Sequence, residues 1–188
     1  MSVYQPLGAE DIALIQDIAP QKNQVRKFCE NYSQMPMAFH ACSKESWPLF
    51  RQEIFTAAGM SKFCGYTADE YWQNSCYLSL MNPITDEILI QDNNIKEFVN
   101  FCGSLPDNRR WLCVYGGAQR LMQVDPKTAP KAFAVCSAVA SLGQDMQNKC
   151  YQSLVQFARL GFLPGSAELQ AYCEMFPQAW KEDCTKNP

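Results

Sequence analysis

The sequence predicts an all-α fold: a short right-handed α-solenoid of about five helical hairpins, each stapled by one disulfide. Three observations predict it. Ten cysteines alternate between short and long spacings. The residues beside them repeat one apolar face at helical offsets. No stretch shows strand alternation of useful length.

The cysteines stand at 29, 42, 64, 76, 102, 113, 136, 150, 173 and 184, with successive gaps of 13, 22, 12, 26, 11, 23, 14, 23 and 11. The first member of each pair recurs after 35, 38, 34 and 37 residues, a period of about 36. Helical-hairpin arrays such as the tetratricopeptide class have periods in this range. Alternation predicts local bridges: Cys29–Cys42, Cys64–Cys76, Cys102–Cys113, Cys136–Cys150 and Cys173–Cys184. Each closes a loop of about 12 residues, for which chain entropy assigns ~3 kcal/mol.

The flanking residues support this register. One before each first cysteine stand Phe28, Phe63, Phe101, Val135 and Tyr172. Four before stand Val25, Met60, Phe98, Ala132 and Leu169. Three after stand Tyr32, Thr67, Leu105, Val139 and Phe176. These offsets share one face of an α-helix. A looser stripe follows the second cysteines: Ser46, Leu80, Gly117 and Leu154, then Phe50, Ile84, Leu121 and Ala158.

In chain order, residues 1–20 read as a lead-in and a capping helix, with Ile12, Ile15 and Ile18 at spacing three before Pro20. Residues 21–188 read as the repeat domain. The first hairpin spans about 21–58, turns at Pro36 and restarts near Ser46 because of Pro48. Gly59 is expected to end it. The second spans about 60–81. Its second helix is expected to start at Thr67, where T-A-D-E matches a capping box, and to break at Asn82-Pro83. An insertion follows, in which Ile84, Ile88 and Leu89 suggest a packed helical turn. The third hairpin, 93–124, turns at Pro106-Asp107 and carries Gly116-Gly117 within its second helix. Each such glycine costs about 1 kcal/mol of helix propensity, so a close neighbour is expected there. The fourth spans about 127–160, turning at Leu142-Gly143 with Gly161 at its end. The fifth spans 166–184, with a turn at Pro177 and a truncated second helix.

Composition excludes several classes. A net charge of −3 does not suit a nucleic-acid partner. No apolar run reaches the ~18–20 residues that cross a bilayer. There is no C-x-x-C, so neither the usual zinc spacing nor a thioredoxin-type motif is present. No phosphate-binding loop or dinucleotide fingerprint occurs. His40 is the sole histidine, and Phe39 and Cys42 place it beside the core, in a plain structural or surface role. It would be the sole base for a serine triad, and no G-x-S-x-G accompanies it. Neither a catalytic residue, a metal nor a cofactor is expected.

Five staples predict an oxidising compartment, periplasmic or secreted. The opening MSVYQPLGAED has no signal-peptide features, so a removed leader or a longer precursor is expected. The exposed face of the first helices should include two positions before each first cysteine, with Lys27, Lys62, Asn100, Ala134 and Ala171. Five positions before, it should include Lys131. Arg109 and Arg110 begin a helix, where cations are disfavoured. They form a second candidate site for an anion or partner, with Asp107 able to pair with Arg110 at i,i+3. Trp72, Trp111 and Trp180, each just before a second cysteine, suit inter-helix packing or an exposed groove.

By period and paired cysteines over 25–184, the chain resembles disulfide-stapled helical repeat proteins, such as the Sel1-like cysteine-rich proteins of bacteria. It also resembles the twin-cysteine hairpins of the mitochondrial intermembrane space, which implies that compartment as the alternative. The expected function is a non-catalytic protein-binding or scaffold module within a larger complex. The alternative is an enzyme or small-ligand carrier with a pocket between hairpins.

Overall fold

The computed structural model describes residues 22–186, without the side chains of residues 22–25 and of Pro126. The expected capping helix before Pro20 lies outside the described residues. Those residues form eleven α-helices and no strand, so the fold is all-α. The helices are α1 (Lys22–Cys29), α2 (Pro36–Glu45), α3 (Arg51–Ile54), α4 (Ala57–Cys64), α5 (Glu70–Thr85), α6 (Ile95–Ser104), α7 (Asp107–Val124), α8 (Ala129–Ala138), α9 (Gln144–Gly161), α10 (Ala167–Glu174) and α11 (Gln178–Lys186). The chain divides into two compact units, Met1–Leu80 and Met81–Pro188.

All five disulfides follow the alternating register, with Cα–Cα separations of 5.3 to 5.7 Å. The second cysteine is the seventh residue of its helix in every pair, in α2, α5, α7, α9 and α11. The first cysteine lies within the last three residues of α1, α4, α6, α8 and α10. One geometry therefore recurs. The end of a first helix is tied to the second turn of the next. Three of these first helices have only eight residues, too few to persist alone in water. The bridge and the buried face hold them.

That buried face is the one the offsets predict. Met60, Phe98, Ala132 and Leu169 are buried, as are Phe63, Phe101, Val135 and Tyr172. After the second cysteines, Ser46, Leu80, Gly117 and Leu154 are buried too.

Local capping explains the helix starts. Asn94 opens α6: its Oδ1 accepts from the Glu97 backbone N–H at 3.0 Å, and its Nδ2 donates to Glu97 Oε2 at 2.8 Å. Ser166 Oγ opens α10 by accepting from the Leu169 N–H at 3.1 Å. Pro36 occupies the first position of α2, where a missing N–H loses nothing. Pro48 sits in a 3-10 turn, Trp47–Phe50, just past the end of α2 at Ser46, as its ring demands.

Four boundaries differ from expectation. Thr67 does not start α5. Its hydroxyl instead accepts from the Asp69 N–H at 3.1 Å, and Asp69 caps the helix by accepting from the Trp72 N–H at 3.1 Å. The threonine turn uses up the hydroxyl that a capping box would need.

Gly59 does not end the first hairpin. It is the third residue of α4, and its N–H donates to the Thr56 hydroxyl at 3.1 Å. A Cβ there would lie 2.0 Å from the Glu53 carbonyl oxygen, so the glycine serves a close backbone approach. Pro83 does not break α5, which continues to Thr85 and then widens into a π-turn, Asp86–Gln91. Leu80, Met81, Ile84, Thr85, Ile88 and Leu89 are all buried along this stretch. Burial of that stripe outweighs the backbone bond that Pro83 forfeits. Two residues past the turn stands Asn93, whose φ of 52° lets the Asn94 N–H reach the Ile88 carbonyl at 2.8 Å. Lastly, α11 runs past Cys184 to Lys186.

Candidate partner-binding surface

Each first helix presents the same register position to solvent. Two positions before the first cysteine, Lys27, Lys62, Asn100, Ala134 and Ala171 are all exposed. The cause is geometric. This position lies opposite the face that the cysteine and its apolar neighbours bury. The two positions of the first unit are lysines, and the three of the second are one amide and two methyl groups, so each unit is only lightly charged there.

Tertiary structure removes other candidates from that surface. Lys131 is half-buried, and its ammonium donates to the Leu89 carbonyl at 2.9 Å, bracing α8 against the π-turn. Arg109 is 7% exposed, so it cannot meet a partner as a surface cation. Arg110 forms the expected pair with Asp107 at 2.9 Å, and its Nε donates to the Leu105 carbonyl at 3.1 Å. Arg110 is therefore a helix-start brace. Arg109 stands three and four residues before Leu112 and Cys113, on the face that α7 buries, so the helical period held the signal for its burial.

The tryptophans are packing residues, each half-buried. Trp72 stacks on His40, Trp111 meets Tyr115 at 6.2 Å, and Trp180 meets Tyr151 at 6.0 Å. The last belongs to an aromatic cluster of the second unit, in which Phe133 contacts Tyr172 and Phe176 at 5.5 and 4.6 Å. Tyr172 donates its hydroxyl to the Leu154 carbonyl at 3.1 Å, and burial raises its pKa.

His40 lies in the first unit and is buried. Its ring is stacked 3.9 Å from Trp72 and borders Phe39 and Tyr66 at 5.2 and 5.6 Å. Burial lowers its pKa; Asp69 opposes that shift and Lys44 adds to it. Tyr66 is pushed up to about 12, mainly by burial, with the Arg26 cation pulling the other way. The partnership of His40, Tyr66 and Trp72 escaped sequence reasoning. A single histidine with no metal-ligand spacing carries no signal of which rings will enclose it.

Two arginine braces also went unread, one on backbone carbonyls and one an ion pair. Arg26 donates to the carbonyls of Lys62 and Phe63 at 3.2 and 3.0 Å, satisfying the end of α4. Arg120 grips both carboxylate oxygens of Asp86 at 2.8 and 2.7 Å, tying α7 to the π-turn. Among the described residues no group of three or more His, Cys, Asp or Glu side chains could hold a metal ion, and no helix is long and apolar enough to cross a membrane.

Neither a family model, a curated protein nor a solved structure matches this chain.

Proposed function

We propose that this chain is a non-catalytic, disulfide-stapled helical-repeat module that binds another protein in the periplasm or outside the cell. The supporting observation is the exposure of Lys27, Lys62, Asn100, Ala134 and Ala171, one residue from each first helix. A register position left exposed on every first helix offers each unit its own polar contact, Lys27 and Lys62 in the first and Asn100, Ala134 and Ala171 in the second. Its light charge suits a protein or peptide better than nucleic acid, which needs several phosphates neutralised. Ten cysteines, all paired, fit an oxidising compartment.

The test uses the wild-type chain and two face variants, K27E/K62E and N100D/A134D/A171D, as baits in native extract. A Lys149→Glu bait controls for charge alone. Circular dichroism checks that each folds. The expected result is one specific protein captured by wild type and the control, with at least tenfold weaker capture by one face variant. Equal capture by all four baits would mean that the partner sits elsewhere and would overturn the assignment of these positions.

A further inference from the structure

His40 joins two hairpins. It sits on α2, and three other rings enclose it. Phe39 comes from its own helix, Tyr66 from the turn between α4 and α5, and Trp72 from the first turn of α5. The His40 and Trp72 rings are nearly parallel, 15° apart. Nδ1 of His40 and the Tyr66 hydroxyl are both buried without a hydrogen-bond partner among the described residues.

A neutral imidazole tolerates this enclosure, because Nδ1 can remain an unprotonated acceptor. An imidazolium does not, because both ring nitrogens must then donate. An N–H at Nδ1 would meet no acceptor, and a buried unpaired charge is costly. The Trp72 face attracts a cation but supplies no acceptor in the ring plane. The charged and titratable groups around the ring are few. Asp69, at the head of α5, favours the charged form, and Lys44, one turn along α2, disfavours it. Tyr66 is neutral, and the Arg26 cation beside it is engaged at the Lys62 and Phe63 carbonyls. Burial is the largest influence and outweighs Asp69.

We propose that His40 is an acid-sensitive joint between the first two hairpins: neutral, it holds α2 against α5; protonated, it turns to water and releases Trp72. The folded pKa lies below the ordinary 6.5. Folding therefore binds fewer protons than unfolding at this site. The stabilisation is complete above pH 6.5 and is lost as pH falls below it through the folded value. The Arg26 link between the same hairpins does not titrate in this range, so opening is confined to α2 and the first turns of α5, the segments that His40 and Trp72 hold together.

Because the chain has one histidine, its Hε1 proton gives one NMR titration curve. The disulfide-intact chain is titrated from pH 8 to pH 4. In parallel, hydrogen exchange, corrected for the intrinsic rate, is measured over α2 and the first turns of α5, with α9 as an internal control. The expected midpoint lies below 6.5, and protection of α2 and early α5 falls at least tenfold through it while α9 holds. His40→Phe keeps the packing and should remove the acid-dependent loss. If that variant does not fold, the wild-type curve still decides. A midpoint at or above 6.5, or protection unchanged through the midpoint, would overturn the joint. So would the same loss in a folded His40→Phe chain.

Discussion

The Phe98 ring lies against the bare Cα of Gly117: a Cβ built on Gly117 would come within 2.2 Å of Phe98 Cζ. Phe98 is fully buried on α6, and Gly117 belongs to α7, its partner in the hairpin. The glycine thus exchanges helix propensity for the ring's closest seat. Gly117→Ala should destabilise the second unit by about 1–3 kcal/mol through overpacking, although alanine is the better helix former. Urea unfolding measures this. Phe98→Leu in the same chain should recover part of the loss, because the smaller side chain vacates the space.

The bridge of the same hairpin gives a second prediction. Replacing Cys102 and Cys113 together by alanine opens an 11-residue loop. The expected cost is about 2–5 kcal/mol, the usual range for a native bridge in a small domain. Peptide mapping without reductant should return the five local pairs. Links across the long gaps would contradict the shared position of the second cysteine in every hairpin.

Helix α4 depends on its cap. Thr56 accepts from the Gly59 N–H and donates to the Glu53 carbonyl at 2.9 Å, closing a ring of local bonds. Thr56→Ala should cost about 1 kcal/mol, and Thr56→Ser should recover most of it. Thermal unfolding of the three chains distinguishes them. Equal melting points would show that the cap contributes nothing.

The Arg120–Asp86 pair secures the π-turn that follows Pro83. Both side chains are about a third exposed, so the Coulombic gain is screened, whereas the guanidinium donates to both carboxylate oxygens. A double-mutant cycle with Asp86→Ala and Arg120→Ala should give a coupling energy of about 1 kcal/mol, falling in high salt. A coupling near zero would place the brace among inert surface pairs.

Much of this architecture was legible in the cysteine spacing. A helix has a fixed period, and a bridge across one turn needs its two cysteines on facing sides. The spacing of Cys102 and Cys113 therefore implied a hairpin, and Phe98, Phe101 and Leu105 followed onto its buried face. Pro106 and Gly143 marked turns because their backbone preferences are local. The boundaries at Thr67 and Gly59 were misread for the complementary reason. Each depended on a hydrogen-bond competition, Thr67 with Asp69 and Thr56 with Gly59, that composition does not rank.

By itself, the sequence determined that this protein is helical, which cysteines pair, and which face of each first helix turns inward. All three follow from short-range periodicity and loop closure. Tertiary structure alone decided which polar side chains stay available. It committed Lys131 to the Leu89 carbonyl and carried α5 through Pro83 to keep Ile84 and Leu89 dry. It also enclosed His40 with Tyr66 and Trp72 from the next hairpin. These outcomes depend on which distant surfaces meet, and their desolvation energies arise only at the meeting.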